Sequence, residues 1–150
     1  MKKRRIVKLI LMAIALALIV IQFIPVDRSV PASDAKSDFL AGIEGSESAK
    51  ALVKNACYDC HSYDSKYPWY AYVAPVSLWL QDHINEGREH LNFSEWANYT
   101  VEKRDHKLEE MVEMVHEGEM PLNSYLIAHP EARLTDAERQ ELTGWFEGMR

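Results

Sequence analysis

This chain of 150 residues has only two cysteines, Cys57 and Cys60, and none elsewhere. A framework of several disulfides is therefore excluded, as is a cysteine near the amino terminus to carry a lipid. A zinc ribbon requires a second Cys or Cys/His pair at close spacing, and the chain has none. No stretch of useful length alternates polar with apolar residues, so a sheet architecture is excluded as well. There is no internal repeat and no low-complexity run. Acidic residues are missing from the first 26 positions, and all 23 follow together with 12 of the 17 basic ones. The chain beyond the first 26 residues thus carries a formal charge of −11, which argues against nucleic acid and anionic lipid headgroups as direct partners.

What is there starts with five consecutive residues, Cys57-Tyr58-Asp59-Cys60-His61. This is the pattern by which haem c is attached. Two cysteines three positions apart can add through sulfur across the two vinyl groups of one haem, and the adjacent imidazole then reaches the iron from the proximal side. A thioredoxin-like dithiol would need a preceding strand in a βαβ setting, and a plain disulfide over so short a loop would restrain the unfolded chain little. Neither would use His61. The iron then needs a sixth ligand or an open site. Met120, in Gly118-Glu119-Met120-Pro121, is the leading candidate. Gly118 stops the preceding helix and Pro121 steers Met120 away from helical dihedrals, which places the thioether on a short stiff loop. His83 and His129 are the alternatives. Met111, Met114 and Met149 fall at helical spacings and read as core packing. A thioether ligand raises the haem potential relative to a second imidazole.

The amino terminus reads as an export segment, because Met1-Lys2-Lys3-Arg4-Arg5 precedes an apolar run from Ile6 to Ile24 broken only by Lys8 and Gln22. As a helix, Leu9 to Val26 would cover about 27 Å of a hydrocarbon core about 30 Å thick. The favoured reading is an uncleaved anchor over 1–26, and the competing one is a signal peptide cut near Val30-Pro31-Ala32. The five basic residues ahead of the run hold that end in the cytoplasm, which places the rest outside. The expected location is the bacterial cytoplasmic membrane, crossed once, with the C-terminal domain in the periplasm.

Residues 27–44 read as a linker and 45–150 as one globular domain. Helices are expected over 46–56, 75–90, 101–116 and 135–148, with Ser94 capping a short turn through Tyr99. Pro75 suits a first helical turn, and Thr135 with Glu138 forms a capping pair. The fold class is all-α, a cytochrome c-like helical domain around one covalently attached haem. The stretch from Tyr63 to Tyr99 is dense in aromatics. Trp69, Trp79 and Arg88 are candidates to line a haem pocket, Arg88 and the Trp N–H groups as donors to propionates.

The residues resemble the bacterial haem-binding domain family with a single Cys-x-x-Cys-His motif. The resemblance rests on Cys57 to Ser62, Tyr67-Pro68-Trp69-Tyr70, Ala74-Pro75-Val76-Ser77, Glu86-Gly87-Arg88, Asn92-Phe93-Ser94-Glu95-Trp96, Glu119-Met120-Pro121-Leu122, and Tyr125 followed by His129-Pro130. It implies an exported or membrane-anchored monohaem protein of cytochrome c type. The layout is also similar to a class I cytochrome c, in which an aromatic of the last helix, here Trp145 or Phe146, packs on the first helix. The long aromatic insertion is a departure from that pattern. The expected function is electron transfer by a membrane-anchored c-type cytochrome. A peroxidase-like enzyme or a haem-based redox or gas sensor, each with an open distal site, is the alternative. Expected partners are the membrane, the cytochrome c maturation machinery and a redox protein with a basic docking patch.

Overall fold

The computed structural model describes residues 2–150, and Met1, the first residue of the expected anchor, lies outside them. The regular structure of the described chain is all helical, with short 3-10 turns and no strand among the described residues. Helix α1, Lys2–Val20, runs on into a 3-10 turn at Ile21–Phe23. The span Lys3–Phe23 has mean hydropathy 2.7 and is long and apolar enough to cross a membrane. It stops short of the expected Val26. Ile24 is extended (φ −71°, ψ 117°), the backbone that Pro25 imposes on the residue before it.

Helix α2, Glu47–Ala56, starts where the Ser46 hydroxyl accepts the Ala49 N–H at 2.9 Å. One residue later the haem motif forms its own turn, α3, Tyr58–His61. Helix α4, Val76–His90, follows the aromatic stretch with Pro75 immediately before it, and α5 spans Val101–His116. A single turn, α6, Asn123–Leu126, precedes α7, Asp136–Glu147, whose start is a complete capping box between Thr135 and Glu138.

Two local expectations change. The cap of the turn Phe93–Asn98 is Asn92, whose side chain accepts the Ser94 N–H, and Ser94 is instead buried with its hydroxyl accepting the Tyr63 N–H at 2.9 Å. The segment expected as a linker is partly folded. Asp34 and Asp38 cap 3-10 turns at Ala35–Ser37 and Phe39–Ala41, and Phe39 is fully buried. Its ring lies 5.0 Å from Phe93 and 4.9 Å from Trp96, edge-on to the latter.

The core lies where α7 packs across α5 and α2. Phe39, Val53, Phe93, Leu142 and Phe146 are fully buried there, with Leu108, Met111 and Val115 supplied by α5. Both Trp145 and Phe146 meet Phe39. Gly45 makes room for Trp145, since a Cβ at that position would sit 2.5 Å from the indole nitrogen. Met111 is buried and Met149 packs against the core, whereas Met114 faces solvent. The core thus sets α2 rigidly, and α2 delivers the motif at its end.

Candidate haem site

Helix α3 is held from behind by α4. The His61 Nδ1 lies 2.9 Å from the Gly87 carbonyl and 3.1 Å from the Leu91 carbonyl. Both are acceptors, so Nδ1 carries the proton and donates, leaving Nε2 with its lone pair. This is the arrangement in which a metal-binding imidazole is usually fixed. The ring stands edge-on to Phe93 at 6.3 Å. Burial keeps the imidazole neutral by pulling its pKa below the ordinary value, against the raising effect of the two carbonyls. The approach depends on Gly87, where a Cβ would lie 3.0 Å from the Cys60 carbonyl oxygen.

Cys57 and Cys60 are unbridged. Burial raises the Cys57 thiol to about 12, helped by its neighbour Cys60, and raises Cys60 to about 11, with Asp59 adding to the rise and Arg88 opposing it. A dithiol built for exchange has the opposite tuning, a lowered pKa that exposes thiolate. These are protonated thiols.

Asp59, between the cysteines, ties the motif to its surroundings. Its Oδ1 accepts the Lys66 N–H at 3.0 Å, its carbonyl accepts the Ser65 hydroxyl at 2.6 Å, and its Oδ2 accepts the Tyr125 hydroxyl at 2.8 Å. Tyr125 lies on α6, five residues after Met120, so the methionine loop is bonded directly to the motif. The same loop is held from the other side by Arg139 of α7, whose Nη1 donates to the Val115 and Met120 carbonyls at 2.8 and 3.0 Å. Gly118 takes φ +79°, the left-handed value that ends α5. The Met120 N–H then turns back to the Met114 carbonyl at 3.1 Å.

His129 is engaged at both nitrogens. Nδ1 donates to Glu131 at 3.0 Å, Nε2 accepts from the Tyr70 hydroxyl at 2.6 Å, and the ring stacks on Tyr125 at 4.3 Å. His83 donates from Nδ1 to the Trp79 carbonyl at 3.0 Å, with its ring 4.2 Å from the Trp79 ring. Arg88 is used inside the protein. Its Nε donates to the Ser62 carbonyl at 2.8 Å and its Nη2 to the Ser65 hydroxyl at 2.9 Å, closing the turn that follows the motif. Trp79 is half exposed and Trp69 is 78 % exposed.

The residues fit a haem on three counts. On α4, Val76, Trp79, Leu80 and His83 share the helix face of Gly87, which meets Cys60; Val76 and Trp79 stand exposed there, and Leu80 and His83 are half-buried. The imidazole is oriented with a free nitrogen. The Tyr67 hydroxyl, beside Lys66 whose N–H is bonded to Asp59 of the motif, is buried without a partner and is a donor that a propionate could accept from. Two other cavities lie elsewhere. One of about 500 Å³ is lined by Trp96, Leu108 and Met149, and one of about 330 Å³ by Gln22, Pro25 and Tyr72.

An all-helical domain with two adjacent free thiols, an oriented histidine and a partly exposed helix face beside them defines a haem protein. The sequence matches the family described as a haem-binding domain over residues 16–148, and the chain belongs to that family. Comparison with curated proteins and with solved structures finds no match. Sequence reasoning missed Asp59, Tyr125 and Arg139, whose roles depend on partners 66 and 19 to 24 residues away. The place of Asp59 inside the motif and of Tyr125 ahead of His129-Pro130 were the signals present, and neither told what the residue bonds to.

Proposed function

We propose that the protein is a membrane-anchored monohaem c-type cytochrome that transfers electrons on the periplasmic side of the cytoplasmic membrane. Cys57 and Cys60 would each add S and H across a vinyl group, forming two thioethers without an oxidant. His61 Nε2 would bind the iron on one side and the Met120 thioether on the other. The haem, when bound, supplies a one-electron couple between ferrous and ferric iron. The protein's part is to hold both axial groups still, so that little rearranges as charge changes. The observation that carries this reading is the His61 Nδ1–H shared by two backbone carbonyls, because it both aims and deprotonates the nitrogen a metal would take.

Other features support the choice of Met120. His129 has both nitrogens committed, and His83 lies on the same helix that backs His61, which is the proximal side. The Met120 loop is fixed by Arg139 and, through Tyr125, by Asp59. Retention of the amino-terminal helix is supported by its bonds to the domain, since Gln22 and Arg28 hold Ala74 and Ala71. The acidic charge of the domain favours a redox partner with a basic patch, and covalent attachment requires the maturation machinery.

The test is an absorption spectrum of the haem-loaded protein in both oxidation states, with carbon monoxide added to the reduced form. His61/Met120 ligation gives a low-spin spectrum, a far-red sulfur-to-iron band when oxidised, and no carbon monoxide shift. Met120→Ala removes that band. A high-spin or carbon monoxide-reactive wild-type protein overturns this reading in favour of peroxidase-like catalysis or gas sensing.

A further inference from the structure

The end of α1 is bolted to the aromatic insertion. Gln22 Nε2 donates to the Ala74 carbonyl at 2.9 Å and Gln22 Oε1 accepts the Ala74 N–H at 3.0 Å, so one side-chain amide satisfies both backbone groups of a residue 52 positions away. Arg28 Nε donates to the Ala71 carbonyl at 3.0 Å, a second bond runs from Nη2 to the same oxygen, and the guanidinium lies 4.6 Å over the Tyr72 ring. The turn between these two clamps buries its small residues, Ala71 at 1 % and Ala74 at 6 % exposure. It presents its large ones outward: Trp69 at 78 %, Tyr72 at 61 % and Val73 at 45 %.

The reach of the helix says where that turn sits. Gln22 is 13 residues beyond Leu9, which at 1.5 Å per residue is about 20 Å, against about 30 Å of hydrocarbon. Starting from Ile6, with Lys8 snorkelling, gives about 24 Å. If the cytoplasmic end of the apolar run is at its boundary, Gln22 and the Ala74 it holds lie some 6 to 10 Å short of the outer boundary. A spanning segment this short leaves a mismatch that apolar groups beside it can fill. The residues at that level are the outward aromatics of the turn, of the kind enriched at membrane interfaces, together with exposed Phe23 and Ile24.

We propose that the turn from Trp69 to Val73 is an interfacial wedge that enters the outer leaflet beside α1, with lipid as its occupant. This rests on the reading of α1 as a retained anchor, and it adds a second membrane contact, a short 3-10 turn, that fixes the orientation of the haem domain relative to the bilayer. The outward side chains of the turn are uncharged, and the one cation beside them, the Arg28 guanidinium over Tyr72, is held by the Ala71 carbonyl, so the contact is with neutral lipid.

The test uses the full-length, haem-loaded protein in phosphatidylcholine vesicles. With Cys57 and Cys60 consumed as thioethers, an introduced cysteine is the only free thiol. A polarity-sensitive fluorophore at Val73→Cys should be quenched several-fold more by lipids bearing a nitroxide high on the acyl chain than the same fluorophore at Ile127→Cys, which is 85 % exposed and outside the patch. Adding Tyr72→Ser should bring the Val73 quenching down toward the Ile127 level while the haem spectrum stays unchanged. Equal quenching at the two positions in protein that resists an alkaline wash of the vesicles overturns the wedge and leaves the anchor standing. Protein released by that wash overturns the anchor itself. Self-quenching at Val73 that grows with protein density assigns the patch to a second copy, and a changed haem spectrum in the Tyr72→Ser variant assigns Tyr72 to the haem pocket; either overturns the proposal.

Discussion

The two halves of the folded domain treat apolar surface in opposite ways. Around α2, α5 and α7, the rings of Phe39, Phe93 and Phe146 and the Leu142 side chain are fully enclosed by one another. Between Trp69 and His83 the chain is as rich in aromatic and aliphatic side chains, yet Trp69, Tyr72, Val73, Val76 and Trp79 stay open. A core that closes on itself is a sufficient source of stability. Apolar surface left open costs free energy of about 25 cal/mol per Å², so it is tolerated where something else covers it. We assign the cover on the α4 face to the haem and, as proposed above, that on the turn before α4 to lipid. The scaffold half sets geometry, and the open half receives what the protein binds.

That contrast predicts that the halves can be damaged separately. The largest effect is at the haem motif, where the two halves meet at the end of α2. Replacing Cys57 and Cys60 by Ala should abolish haem that survives a denaturing gel, while the helical circular dichroism of the scaffold is largely kept. Haem retained through denaturation in the double variant would sink the attachment reading. On the closed half, Phe146→Ala empties a fully buried ring site and should lower unfolding stability by about 3–5 kcal/mol. Denaturant titration measures this. The visible spectrum of the surviving folded fraction should match that of the parent, because no atom of Phe146 belongs to the ligand set.

The closed half was the more legible in the sequence. Ser46, Pro75, Thr135 and Glu138 mark helix starts through local chemistry, and the apolar spacing of Leu108, Met111 and Val115 marks a buried face, so the four long helices of the domain fall within a residue or so of expectation. The motif itself was legible because its residues are contiguous. What was not legible depends on distant pairs. Nothing local in Asp34 to Gly42 shows that Phe39 enters the core, since one aromatic in a charged stretch has no period to read. Arg88 looked like a free helix charge, and its bonds from Nε to Ser62 and from Nη2 to Ser65, more than 20 residues away, could not be read locally. Gln22 looked like a polar interruption of the anchor, and its meaning lies 52 residues away.

The joint between the halves offers a finer test. Tyr125→Phe removes the single hydroxyl that couples the methionine loop to the motif and leaves Asp59 Oδ2 short of a donor. A hydrogen bond to a charged acceptor is worth about 1.5–3 kcal/mol, and part of that is recovered because Asp59 keeps its bond from the Lys66 N–H. The expected signature is selective. The far-red band and the reduction potential should change while Soret absorbance per protein does not, since the thioethers and His61 are untouched. Identical band and potential in Tyr125→Phe would show that Arg139 alone holds the loop.

The smallest expected effect is the most diagnostic of the proximal side. Gly87→Ala ordinarily favours a helix by about 0.5–1 kcal/mol. Here the new methyl would meet the Cys60 carbonyl oxygen at 3.0 Å and its carbon at 3.4 Å, and both are backbone atoms with little freedom to move. Overpacking of this kind costs about 1–3 kcal/mol, so the net change should be a loss of about 1 kcal/mol. The direction of the shift matters more than its size. Moving α4 away lengthens the bonds from His61 Nδ1 to the Gly87 and Leu91 carbonyls, which lowers the basicity of the imidazole and weakens its hold on iron. The reduction potential should therefore change even though position 87 touches neither the iron nor a cysteine sulfur. A variant as stable as the parent or more so, with an unshifted potential, would mean that the α4 contact does not govern the proximal ligand.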